Sequence, residues 1–197
     1  MPIDKLIGVI FSFIPALLIV FLLLKKKEPF FNFREIISEH LSVFKECKSQ
    51  YFVFYVLPLF LSVGLTLLFD VNTNLFTHLG VVLSIILSIL MAVLAMLCDF
   101  DYSKFKDENQ KSKCKISVKQ TINAILFCCI IGISLLLLGF VVIAASENNI
   151  NWITIDLTVC KKVLSVVTYY LLIVVLLNLL LVMKNISNII NAVREVN

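Results

Sequence analysis

Five long stretches of this chain, at 6–24, 52–69, 79–98, 124–145 and 163–183, contain no Asp, Glu, Lys, Arg or His. A helix of about 20 residues rises about 30 Å, the thickness of a hydrocarbon core, and charge at that depth is costly. Uncharged runs of this length therefore predict an all-α, polytopic membrane protein, a five-helix transmembrane bundle. The chain is 60% hydrophobic and 15% charged with a mean hydropathy of +1.03, which excludes an ordinary soluble domain. No Pro, Gly or Ser-rich linker divides it, so residues 1–197 read as a single membrane domain.

The polar gaps organise the spans. The first span ends at Lys25, Lys26 and Lys27 with no small-residue cleavage site, and so reads as a retained anchor kinked at Pro15. Residues 29–48 carry Phe30, Phe33, Ile37, Leu41 and Phe44 at spacings of three and four, the mark of one apolar helical face. An amphipathic segment is expected there, anchored at the membrane interface by the lysine triplet, Phe30 and Phe33. A second short amphipathic segment is expected at 185–195. Trp152, among isoleucines between the fourth and fifth spans, is the expected aromatic anchor at the opposite interface.

Lysine and arginine set orientation because they are retained on the cytoplasmic side. Fourteen of them fall in the gap after the first span, the gap after the third and the C-terminal tail; only Lys5, Lys161 and Lys162 fall on the other side. Five spans give odd parity, and the charges then place the N-terminus outside and the C-terminus in the cytoplasm. Fifteen lysines against two arginines, with many Ile, Phe and Asn, suit an AT-rich bacterial genome, so a bacterial plasma (inner) membrane is the expected location.

Chemical motifs are sparse. The six cysteines contain no Cys-x-x-Cys pair, and no His-Glu-x-x-His, Gly-x-Ser-x-Gly or phosphate-cradling glycine loop occurs. A set of Cys47, Cys98, Cys114 and His40 departs from the usual ligand spacings of zinc. The spans hold no ionisable pair for acid–base or nucleophilic work, so the expectation is no enzyme, no catalytic or metal residue and no cofactor. Basic residues without aromatic interleaving give no nucleic-acid surface.

Helix faces are what remain. Ser84 and Ser88 form a small-x-x-x-small step, and Gly132 and Gly139 lie seven apart on about one face; such residues let helix backbones approach closely, within the bundle or against a partner. Asn178, an amide in mid-span, requires a hydrogen-bond partner from the same bundle, a second copy or water. The function expected is a non-catalytic subunit or scaffold of a membrane complex. Besides the bilayer, its partner would be another membrane protein or a second copy. A homo-oligomeric pore or membrane-perturbing effector is the alternative, and a small-solute permease the third reading.

Overall fold

The computed structural model describes residues 33–44, 48–69, 72–103, 105, 107–147 and 157–194. The span at 6–24, the anchors Lys25, Lys26, Lys27, Phe30 and Trp152, and the orientation that rests on both termini lie outside the described residues.

The described chain is helical, with no strand. Its elements are α1 (Phe33–Val43), α2 (Lys48–Tyr51), a π-helical turn (Phe52–Val56), α3 (Leu57–Leu68), α4 (Thr73–Cys98), α5 (Glu108–Glu147) and α6 (Leu157–Arg194). Among the described residues, four helical stretches are long and apolar enough to cross a membrane: Ser49–Leu68, Thr73–Cys98, Glu108–Ala144 and Lys161–Arg194. They contain the second to fifth spans read from the sequence, and the chain is an all-α helical membrane protein.

Pro58 explains the π turn. It has no N–H to offer the Phe54 carbonyl, and its ring would collide with that carbonyl in a regular helix. Widening the preceding turn relieves the clash: the Leu57 N–H bonds to the Phe52 carbonyl, five residues back, and the backbone remains helical at Tyr51 and Leu57. Asn72 then caps α4, its Oδ1 accepting from the Leu75 N–H at 2.8 Å. Asp107 does the same for α5, accepting from the Asn109 N–H at 2.9 Å with its charge at the positive end of the helix dipole.

Residues 108–119, read as part of a charged stretch between spans, form the first three turns of α5, and the amphipathic stretch at 185–194 continues α6 without a break. Charge did not stop either helix because one face stays apolar. Cys114 and Val118 of α5 are buried in the same cluster as Val182 and Ile189 of α6, with Ile186 and Val193 packed against it. At about 1.5 Å per residue, helices of 40 and 38 residues are about 60 Å long, twice a hydrocarbon core. The two therefore continue beyond the lipid as a paired stalk. Phe105, from the connection before α5, closes over its side.

The helices follow a row. α3 packs on α6, α6 on α5 and α5 on α4, while α3 and α4, joined by residues 69–72, do not pack on each other. α1 packs on α5 beside Lys119 and Asn123.

Candidate functional site

The polar side chains of the spans are mostly spent locally. Ser62, Thr121, Ser165 and Thr168 are buried, and each hydroxyl donates to a carbonyl three or four residues earlier on its own helix. Such back-bonding satisfies a hydroxyl in an apolar medium without a partner helix.

The glycines and serines singled out from the sequence separate. A Cβ on Gly132 would stand 2.9 Å from Leu87 Cδ2, and one on Gly139 3.1 Å from Phe76 Cδ1, so both glycines serve the α4–α5 contact within one copy. Ser84 and Ser88 are exposed on α4, each donating back to a carbonyl of its own helix, Gly80 at 2.8 Å and Ser84 at 2.9 Å. Phe33 opens α1.

Asn178 is different. It is fully buried; its Nδ2 donates to the Val174 carbonyl at 2.8 Å, and its Oδ1 has no hydrogen-bond partner among the described residues. The group facing it is His40 of α1. This imidazole is 1% exposed and stacks on Phe127 of α5, ring centroids 4.2 Å apart and planes inclined by 18°, with Phe44 edge-on at 5.4 Å. Asn178 approaches closely enough to favour the protonated ring, yet the approach falls short of a formed hydrogen bond: Nε2 of His40 is also unpaired. Burial outweighs that pull and pushes the imidazole down to about 4.

The neighbouring residue secures the same helix from its wet side. Glu39 accepts from Asn123 Nδ2 at 2.8 Å and from Lys119 Nζ at 3.2 Å. The Asn123 amide and then the Lys119 ammonium hold the Glu39 carboxyl below its ordinary value. The π turn completes the setting. Phe54 and Tyr55 approach Phe44, with centroids at 5.0 and 5.7 Å, and the Tyr55 hydroxyl is a third buried polar group unpaired among the described residues.

The arrangement is a seat for α1, charged at its rim and neutral inside. Sequence reasoning identified Asn178 but placed His40 among the residues of a polar gap. A signal was present: His40 lies three residues after Ile37 and four before Phe44, on the same apolar face. No family of proteins matches this chain, and neither does any curated protein or solved structure.

Proposed function

We propose that this protein is a non-catalytic subunit or scaffold of a membrane complex, in a bacterial plasma membrane, with the N-terminus outside and the stalk of α5 and α6 in the cytoplasm. The observation that carries the reading is the basic outer face of that stalk. Lys113 and Lys115 are exposed and make no ion pair among the described residues, and Ile116 beside them is 55% exposed.

Distance favours a protein over lipid as their counterpart. Lys113 and Lys115 precede the apolar run that begins at Ala124 by eleven and nine residues, about 14–17 Å of helix. The polar layer of a bilayer is only about 6 Å deep on each side, and charges are screened over about 8 Å. An amphipathic segment bearing acidic residues around an apolar one fits this face. α1 supplies the pattern within the molecule, since it docks on α5 with Glu39 against Lys119.

Affinity purification of the full chain from native membranes in mild detergent tests the reading. A stoichiometric second polypeptide is expected, lost on Lys113→Glu with Lys115→Glu. A particle containing only this chain, or co-purification indifferent to charge reversal, overturns it. Leakage of liposomes reconstituted with the pure chain would favour the pore instead.

A further inference from the structure

We propose that α1 is an acid-released latch, held on the bundle by neutral His40 seated between Phe127 and Asn178 and freed when that imidazole takes up a proton. The geometry limits the ways a charged ring could be accommodated. The ring is 1% exposed, so water does not solvate it, and its stacking face is an aromatic hydrocarbon.

Among the described residues, no carboxylate pairs with it inside the seat. On α1 itself, Glu39 is taken by Asn123 and Lys119 at the rim, and Glu35 is exposed. From α5 the nearest titratable groups are Lys119, paired with Glu39 at the rim, and the buried thiol Cys128, next to Phe127 in sequence; from the π turn comes Tyr55, reached across Phe44, and from α6 Tyr170, which interacts with Tyr55. At neutral pH each of these is either uncharged or already cationic. Among the described residues the Asn178 amide is the polar group that faces Nε2, and its pull toward the protonated ring is outweighed by burial.

The direction of the pH effect follows. Undocked, His40 titrates near 6.5; docked, burial holds it down to about 4. The docked state therefore binds fewer protons between these values. Docking is fully stable above pH 6.5, weakens as pH falls through the interval and levels off below about 4. Linkage over this interval amounts to about a thirtyfold loss of docking by pH 5. Glu39 is held below its ordinary 4.5, so its protonation weakens docking only as pH falls below that value, and the loss between pH 6.5 and pH 5 belongs to His40.

Hydrogen–deuterium exchange on the full chain in detergent micelles, corrected for the intrinsic pH dependence of exchange, reads the latch directly. In the wild type, protection of residues 33–43 should fall about twentyfold between pH 7 and pH 5 while the apolar part of α5 stays protected. His40→Leu, which keeps an apolar filling and removes the titration, should hold α1 at both pH values. If Leu fails to seat at neutral pH, His40→Gln, uncharged and able to donate to Asn178, takes its place in the comparison. Wild-type protection that is equal at pH 7 and pH 5 overturns the proposal, as does an acid loss undiminished in the variant that seats.

Discussion

His40 lies face to face with Phe127, 87 positions away in the chain, at a centroid separation of 4.2 Å. This contact puts an ionisable side chain against spans that carry no ionisable group that is charged at neutral pH. The uncharged spans, taken alone, argue against any proton-dependent behaviour. A short helix outside the four candidate spans supplies the missing group by packing it against two of them, where leaving costs only the docking of 11 residues rather than the unfolding of a span.

Asn178→Leu should loosen α1 without unfolding the bundle. The substitution takes from the seat the polar group that faces the buried Nε2 of His40, a loss of about 1 kcal/mol because no full hydrogen bond is formed there, and otherwise removes only a local back-bond to Val174. Exchange of residues 33–43 at pH 7.5 is expected to rise by about fivefold, with α5 and α6 unchanged. An α1 as protected as in wild type would show that the amide does not hold the imidazole.

Glu39→Gln should have a smaller effect of a different kind. The glutamine oxygen still accepts from Asn123, so only the Lys119 pair is lost, and that pair is largely solvent-exposed. Exposed pairs contribute about 1 kcal/mol or less and are screened by salt. A weakening of docking of at most about fivefold, vanishing in about 1 M salt, is expected in the same exchange measurement, and the response between pH 7 and pH 5 should survive.

Much of this architecture could be read from the residues, and the failures have physical causes. Runs such as 79–98 admit one reading because no charged residue interrupts 20 consecutive, mostly apolar positions. Helix ends were less legible: Lys111, Lys113, Lys115 and Lys119 look like a loop in a charge count, whereas Cys114, Val118 and Thr121 keep a buried stripe between them and carry the helix outward. The π turn announces itself only through Pro58, which a sequence reader assigns to a kink. The site was half legible. Asn178 stands out by its cost in lipid, but its partner depends on how α1 packs on α5, which no local pattern encodes.

Gly132→Val should destabilise the α4–α5 contact by about 1–3 kcal/mol, the usual cost of overpacking. Leu87 Cδ2 lies 2.9 Å from where the new Cβ would sit, and this is the tip of a flexible side chain, so Leu87→Ala should recover much of the loss. Thermal unfolding in detergent of the two single variants and the double variant gives the coupling. Gly64, with nothing within 4 Å of its would-be Cβ, is the control: Gly64→Ala should leave stability unchanged or slightly raised. A Gly132 variant as stable as the Gly64 one would mean that α4 and α5 approach less closely.

Replacing Ser84 and Ser88 with leucine separates folding from association. Both hydroxyls are exposed and bond only to their own helix, so their loss removes no tertiary hydrogen bond, and leucine is at home against lipid. Thermal stability of the purified chain should therefore stay within about 0.5 kcal/mol of wild type. Close helix approach at this step, however, depends on small side chains, and Ala92 and Ala95 continue the exposed ridge. If a membrane partner packs there, the double variant should migrate as a smaller complex on native gels while folding normally. An undiminished complex would assign this ridge to lipid and leave the lysine face of the stalk as the surface through which the protein assembles.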